Sequence, residues 1–170
     1  MTERARAVLE SAKAPDARIA AKEFVAQASR DAAFQLEACV HCGQCADACH
    51  FHLVTGNPRH TPIYKLRPML KAYEREAAPF ASVKKALGLA PPEVTTEELH
   101  EWSQLLYDSC NLCGRCTLAC PMGIDIAGLV RLAREGMAAG GFAPADLYKA
   151  AERALDTGSP IGLRDRKSVV

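Results

Sequence analysis

The stretch CVHCGQCADACH, residues 39–50, returns further along the chain as CNLCGRCTLACP, residues 110–121. Both copies follow the spacing C-x2-C-x2-C-x3-C, and each cysteine of the second copy lies 71 positions after its counterpart in the first. Gly43 recurs as Gly114, whereas His50 is replaced by Pro121. All eight cysteines of the chain lie in these two quartets. Such an arrangement is typical of a metal-ligand set and not of a scattered disulfide framework.

The spacing within each quartet predicts an iron–sulfur site. Three cysteines at positions i, i+3 and i+6 can curl one tight loop around a compact metal core, and the fourth then points away from that loop. In the two-cluster bacterial pattern C-x2-C-x2-C-x3-C-P, the fourth cysteine ligates the other cluster. We therefore expect two [4Fe–4S] clusters with crossed ligands: Cys39, Cys42, Cys45 and Cys120 for the first, and Cys110, Cys113, Cys116 and Cys49 for the second.

Other uses of cysteine fit the quartets less well. Structural zinc takes four ligands and does not require the third, evenly spaced cysteine that both copies contain. A redox-active C-x-x-C pair needs a βαβ context, which the sequence lacks, and structural disulfides rarely persist in the cytosol. Imidazole can also ligate iron, but eight cysteines already fill eight cluster corners. We therefore expect four histidines to tune the first cluster from outside or to lie at the surface: His41, His50, His52 and His60.

The composition of the chain excludes several classes of function. A net charge of +1 over 170 residues gives no reason to expect binding to nucleic acid. No apolar run approaches the roughly 20 residues that span a bilayer, and the charged N-terminus lacks the apolar centre of a signal peptide. We therefore expect a cytoplasmic protein with no direct membrane span.

Most of the chain is predicted to be helical, and no alternating strand pattern is present. The residues from Pro15 to Ala38 favour helix, although their apolar anchors do not decide between one helix and two. Residues 52–60 are predicted to form a loop. Thr61 and Pro62 are expected to begin a helix that Pro68 kinks or splits. The basic residues of that helix are predicted to form a solvated face or a docking patch: Lys65, Arg67 and Lys71.

The second half of the chain carries clearer helix signals. Thr95 and Glu98 form a predicted capping box, and Asp125 is a predicted N-cap. The first helix is expected to bury Leu99, Trp102, Leu105 and Leu106, and the second Ile126, Leu129, Val130, Ala133 and Met137. Gly140 and Gly141 are expected to end that second helix, and a last helix should run from Ala145 to Leu155. The pattern predicts an all-α fold in which helix, cysteine quartet and helix occur twice.

Beyond the quartets, the sequence resembles the helical two-cluster iron–sulfur protein of heterodisulfide reductase, its C-type subunit, and the relatives of that protein. The resemblance covers about residues 34–147. Its most specific parts are LEACVHCGQCADAC at 36–49, YKLRPML at 64–70, and YDSCNLCGRCTLACPMGIDIAGLVRLARE at 107–135. Succinate dehydrogenase, fumarate reductase and glycolate oxidase iron–sulfur subunits share the quartets alone. The flanking residues look most like the version found in sulfur-oxidation heterodisulfide reductase-like complexes.

The resemblance implies the fold of an α-helical ferredoxin. We expect this domain over residues 1–163, with an N-terminal helical extension at about 1–33, and we expect a flexible tail at 164–170 because those residues have too little apolar content to pack. It implies an electron-transfer subunit for sulfur metabolism that works beside a flavin subunit and a catalytic subunit with cysteine-rich CCG motifs. This chain has no Cys-Cys pair, so we expect no catalytic residue in it. The alternatives are an electron-transfer subunit of another flavin-linked dehydrogenase or reductase, and a free dicluster ferredoxin.

Overall fold

Helices account for the regular structure of the chain. The computed structural model describes residues 3–28 and 30–161, and no strand occurs within these ranges. The helices, in chain order, are α1 (Glu3–Ser11), α2 (Ala17–Gln27), α3 (Arg30–Glu37), α4 (Gln44–Asp47), α5 (His50–Thr55), α6 (Pro62–Lys65), α7 (Arg67–Glu76), α8 (Ala81–Ala86), α9 (Thr96–Tyr107), α10 (Arg115–Leu118), α11 (Ile126–Ala139) and α12 (Ala145–Thr157), with a 3-10 turn at Pro58–His60. The all-α prediction is confirmed.

The segment from Pro15 to Ala38 forms two helices. The Asp16 carboxylate accepts a hydrogen bond from the Arg18 N–H at 2.8 Å and caps α2, which ends at Ala28. Helix α2 packs against α7 and α11, and Phe24 is fully buried in the core. The N-terminal segment thus supplies core residues. The division of the domain at about residue 33 stays a prediction, and the tail at 164–170 lies outside the described residues.

The region after the first quartet differs from the expected loop. Residues 50–55 form helix α5, which Gly56 ends with a left-handed backbone at φ 64°, and residues 58–60 form the 3-10 turn. The loop prediction for residues 52–60 was therefore wrong over its first part. The Pro68 prediction is confirmed, because the helix that begins at Pro62 is interrupted at Leu66 and restarts as α7.

The later helices begin at the residues that the sequence predicts, and they bury the predicted apolar side chains. Thr95 and Glu98 form the capping box of α9, and the Asp125 carboxylate caps α11 by accepting from the Gly128 N–H at 2.9 Å. The predicted apolar residues of both helices are buried. Helix α12 extends to Thr157, two residues beyond the expected end, and Gly158 closes it at φ 77°.

Close packing between α2 and α11 depends on Gly136 of α11 and on Gly140, the residue that caps the end of that helix. A Cβ added to Gly136 would lie 2.4 Å from the Phe24 ring, and one added to Gly140 would lie 2.6 Å from the Ala20 Cβ. Real Cβ atoms are not found at such distances, so these positions let the two helices approach closely. This contact connects the N-terminal helices to the helix that follows the second quartet.

Candidate metal centres

The two cysteine quartets adopt the same local backbone. Gly43 and Gly114 have left-handed φ angles of 86° and 77°, and each precedes a four-residue helix, α4 or α10. His41 and Leu112, two residues earlier, both have φ 53°. A Cβ at either glycine would meet no protein atom, so the positive φ is what favours glycine there. Alternation with left-handed residues turns successive N–H groups inward, as at many iron–sulfur sites.

The first cavity brings together cysteines from both quartets. Its lining contains Cys39, Cys42, Cys45 and Cys120, the four cysteines that the spacing assigns to one site. Most of the remaining lining is aliphatic, with Leu36, Ile63, Leu66, Leu70 and Leu129 among its residues, and no Asp, Glu, Lys or Arg side chain contributes to it. Four thiols in an apolar surrounding match the donor set of a cubane iron–sulfur cluster.

The second cavity contains the complementary set. Cys110, Cys113, Cys116 and Cys49 line it, so each cavity takes three cysteines from one quartet and the last cysteine of the other. All eight cysteines are free of disulfides. In each quartet the second cysteine is exposed and the other three are half-buried. The donors of both cavities therefore fit a [4Fe–4S] cluster.

Two helical segments form walls that both cavities share. Segment 62–66 presents Ile63 and Leu66 to the first cavity and Pro62 and Lys65 to the second. Helix α11 presents Ile126 and Leu129 to the first cavity and Ala127 and Val130 to the second, at the same i, i+3 spacing. The two sites are therefore adjacent across these helices.

Lys65 is a site residue that the sequence analysis missed. Its side chain is 2% exposed, and its ammonium donates to the Ser109 carbonyl oxygen and to the Cys49 Sγ at 3.9 Å. It also lies 5.5 Å from the centre of the Phe51 ring. The predicted solvated face is thus wrong for Lys65, and Lys71 is also largely buried against Glu98. The sequence signal that could have identified Lys65 as a site residue is its i, i+3 spacing from Pro62, because both residues line the second cavity.

Arg134 holds the start of the second quartet in place. Its guanidinium donates to the Leu106 carbonyl oxygen at 2.6 and 2.9 Å and to the Cys110 carbonyl oxygen. It lies 5.1 Å from the centre of the Tyr107 ring, whose hydroxyl donates to the Arg134 carbonyl oxygen at 2.9 Å. Burial raises the pKa of Tyr107, so this phenol stays a neutral donor. These contacts fasten the end of α9 to α11.

The four histidines near the first quartet occupy different surroundings. Of these, His41 lines the first cavity and His50 lines the second, where its ring lies 4.4 Å from the Phe51 ring. His52 Nδ1 lies 3.0 Å from the Asn57 carbonyl oxygen, and His60 Nδ1 lies 2.8 Å from Thr55 Oγ1. Of the four, His41 therefore lies at the first site, and His50 lies beside Cys49 at the second.

Burial affects the cysteine thiols of the loops. It raises the pKa of Cys45 and raises that of Cys116 to about 11. Iron binding requires the thiolate, so loading of these sites releases protons. Among the described residues, no three His, Cys, Asp or Glu side chains converge closely enough to hold a single metal ion. The fit to a multi-iron cluster rests on the four-thiol lining of each cavity.

Comparisons with known proteins agree with this chemistry. Residues 35–124 match the family model described as a 4Fe-4S dicluster domain. The chain is 32% identical over 130 residues to the Hdr-like menaquinol oxidoreductase iron-sulfur subunit 2 of Archaeoglobus fulgidus, a match that covers 75% of this chain and 23% of that protein. The corresponding protein of Archaeoglobus profundus matches to the same extent. No solved structure matches the chain significantly.

A third relative comes from a methanogen. One of the subunits of the dihydromethanophenazine:CoB–CoM heterodisulfide reductase of Methanosarcina barkeri is 28% identical over 115 residues, which cover 65% of this chain and 26% of that protein. The chain thus spans about a quarter of the length of the curated relatives it matches. No helix in the described part of the chain is long and apolar enough to cross a membrane. The chain belongs to the 4Fe–4S dicluster domain family and is related to the iron–sulfur subunits of heterodisulfide reductase-like oxidoreductases.

Proposed function

We propose that this chain holds two [4Fe–4S] clusters and relays single electrons between them. The observation that carries the proposal is the lining of the two cavities, each of which contains four cysteines in the crossed arrangement. The ligands are Cys39, Cys42, Cys45 and Cys120 in the first cavity and Cys110, Cys113, Cys116 and Cys49 in the second. When bound, such clusters supply reversible one-electron transfer.

The protein's own residues suit a relay and not a catalyst. Four thiolates per cavity fill the four iron corners, so no corner is left open for a substrate. The aliphatic side chains of segment 62–66 and helix α11 surround both cavities and limit the access of water to the cluster sulfurs. Burial and hydrogen bonds to the sulfurs are the means by which a protein sets cluster potentials.

The proposed setting is a heterodisulfide reductase-like complex of sulfur metabolism in the cytoplasm. Its partners would be a subunit that contains flavin and a catalytic subunit with CCG motifs. The support comes from the relatives, one of which is named as part of a heterodisulfide reductase. The chain itself contains no Cys-Cys pair, so the disulfide chemistry of such a complex would be carried out by another polypeptide or segment.

A second candidate is electron transfer within a quinol-oxidising complex. Two relatives are named as menaquinol oxidoreductase iron-sulfur subunits, and this observation favours the alternative. The two settings differ in the partner and not in the chemistry of this chain. Purification of the native complex under anaerobic conditions distinguishes them: co-purifying flavin and CCG proteins support the first setting, and a quinone-reactive membrane protein supports the second.

Iron and sulfide analysis tests the relay. The chain purified under anaerobic conditions should contain about eight irons and eight acid-labile sulfides, with visible absorption that bleaches on addition of dithionite. Zinc in place of iron, or about four irons per chain, would contradict the proposal.

Alanine variants of the cysteines test the crossed arrangement. Cys42→Ala and Cys120→Ala, which change different quartets, should lose the same cluster and retain the same reduction potential. Cys113→Ala and Cys49→Ala should form the complementary pair and retain the other potential. If Cys120→Ala instead resembled Cys113→Ala, each quartet would hold its own cluster and the crossed assignment would be wrong.

A further inference from the structure

The second cavity contains a buried cation. Lys65 is 2% exposed, and its ammonium contacts the sulfur of Cys49, a proposed ligand of the second site, at 3.9 Å. The Ser109 carbonyl oxygen and the face of the Phe51 ring are its other contacts. None of these three groups is a carboxylate. The positive charge is thus directed at the cavity and is not cancelled by a carboxylate among these contacts.

The first cavity has no equivalent charge. The two shared walls present aliphatic side chains to the first cavity, namely Ile63, Leu66, Ile126 and Leu129, whereas segment 62–66 presents Lys65 to the second. The second cavity is also lined by Arg115, whereas no Lys or Arg lines the first. Among the residues that the structure describes, no Asp or Glu lines either cavity. The two otherwise similar sites therefore differ in electrostatic surroundings.

This difference has a direct effect on reduction. A cluster with four thiolate ligands is anionic, and one added electron increases its negative charge. A buried ammonium next to a ligand sulfur stabilises the more negative state, because burial removes most of the screening that water provides. Hydrogen bonds to cluster sulfurs and local net charge both contribute to the reduction potential. Both effects of Lys65 act in the same direction, toward a higher potential.

We infer that the buried positive charge of Lys65 makes the cluster of the second cavity the stronger electron acceptor of the two. An electron that enters the chain would then settle on the cluster that Cys49, Cys110, Cys113 and Cys116 would hold. The internal step moves one electron from the first cluster, which is oxidised, to the second, which is reduced, and neither a bond nor a proton changes. This inference rests on the proposed two-cluster function and adds a direction to it.

Lys65 also has a structural contact, so the test must separate charge from support. Its ammonium donates a hydrogen bond to the carbonyl oxygen of Ser109, the residue before Cys110. Three substitutions divide the roles: Lys65→Arg keeps the charge, Lys65→Gln keeps a donor without charge, and Lys65→Met removes both. Lys71→Met is the matched control, because Lys71 pairs with Glu98 and does not line either cluster cavity.

The experiment measures both reduction potentials by electron paramagnetic resonance on the anaerobic chain at controlled potential. The potential of the second cavity is the one that Cys113→Ala removes. In wild type it should be the higher of the two. Lys65→Gln and Lys65→Met should lower it by about 59 mV or more, a tenfold change in the one-electron equilibrium constant. Lys65→Arg and Lys71→Met should retain it, and the first potential should stay unchanged in all four variants.

Several results would overturn the inference. The first is a wild-type protein in which the cluster of the second cavity has the lower potential. The second is a Lys65→Gln variant with both potentials unchanged. The third is loss of the second cluster in all three Lys65 variants, which would make Lys65 a structural support. Failure of the proposed function is distinct, because a wild-type chain without about eight irons is detected before any variant is compared. A chain with both clusters and an unaltered Lys65→Gln potential refutes this inference alone.

Discussion

At the scale of single residues, His50 marks the one position where the two quartets end differently. It is the first residue of α5, a position at which proline is well tolerated because its missing N–H has no helical partner. Cys49, the N-cap, has φ −87° and ψ 110°, which is the extended conformation that a following proline prefers. The backbone at position 50 therefore accepts proline, the residue type that stands at the end of the second quartet as Pro121.

The His50→Pro variant should accordingly keep both clusters. We expect unchanged iron content and an unchanged thermal midpoint for the anaerobic protein. Leu53→Pro is the control, because the Leu53 N–H donates to the Cys49 carbonyl oxygen at 2.9 Å and proline removes that donor at a cost of about 3 kcal/mol. Iron loss in His50→Pro would show that the imidazole, which lines the second cavity, supports the site.

At the scale of helices, the contact between α2 and α11 is limited by the size of residue 140. Gly140 has φ −82°, so alanine would adopt this backbone without strain. Its Cβ would, however, lie 2.6 Å from the Ala20 Cβ and 3.0 Å from the Ala20 backbone nitrogen. Because a backbone atom is involved, a side-chain rotation cannot relieve the overlap, and the helices must separate.

Gly140→Ala should therefore destabilise the protein by about 1–3 kcal/mol, the usual cost of overpacking. The measurement is the free energy of unfolding in denaturant under anaerobic conditions. Adding Ala20→Gly removes the nearest Cβ, and the double variant should lose less stability than the sum of the two single variants. Additive losses would indicate that the two helices do not make this contact.

A second contact between helices joins α7 to the start of α9. The Lys71 ammonium lies 2.7 Å from the Glu98 carboxylate, and the side chains are 17% and 34% exposed. Partial burial alone would raise the pKa of Glu98, but the Lys71 ammonium and the Thr95 N–H together hold it below its ordinary value of 4.5. A lowered folded-state pKa means that this stabilisation is present above pH 4.5 and is lost as pH falls through the folded-state pKa.

At pH 7 the pair should therefore show a measurable coupling. A double-mutant cycle with Lys71→Met and Glu98→Gln should give a coupling of about 0.2–1 kcal/mol in the free energy of unfolding. Glutamine keeps an acceptor for the capping box, so the cycle isolates the ion pair. Glu97→Gln, a substitution of the neighbouring residue, should show no coupling to Lys71→Met. Equal coupling for Glu97 and Glu98 would exclude the specific pair.

At the scale of the whole molecule, the two halves of the chain are interlocked. Cys49 and Cys120 each line the cavity of the other quartet. Helix α11 and segment 62–66 both line both cavities, and the Gln35 side chain accepts a hydrogen bond from the Asp125 N–H at 2.8 Å. Loss of one cluster should consequently loosen elements that lie far apart in sequence.

Hydrogen exchange can test this interdependence. Cys42→Ala should increase amide exchange in α6 and in α11, because Ile63 and Leu129 both line the cavity that loses its cluster. Exchange in α12 should stay unchanged, since none of its residues line either cysteine cavity. An increase confined to residues 35–70 would mean that the first quartet forms an independent unit.

The chain's sequence alone determined the helix boundaries that depend on local chemistry. Thr95 and Asp125 cap their helices through hydrogen bonds to N–H groups three residues away, and Pro68 interrupts a helix through its own ring. Within each quartet, the three-residue spacing places the first three thiols around one cavity. Short-range geometry is sufficient for these features, whereas the presence of Cys49 and Cys120 in the cavity of the other quartet requires the fold to bring distant segments together.

Only the tertiary structure decided how the helix faces are used. A basic residue at position 65 is compatible with a solvated surface, and Lys65 is buried because Ser109 and Cys49 close over it from other parts of the chain. Helix α5 carries weak local signals, and it forms where the chain leaves the first quartet at the N-cap Cys49. The burial of Lys65 depends on contacts between distant segments, and burial by distant segments cannot be inferred from the spacing of nearby residues.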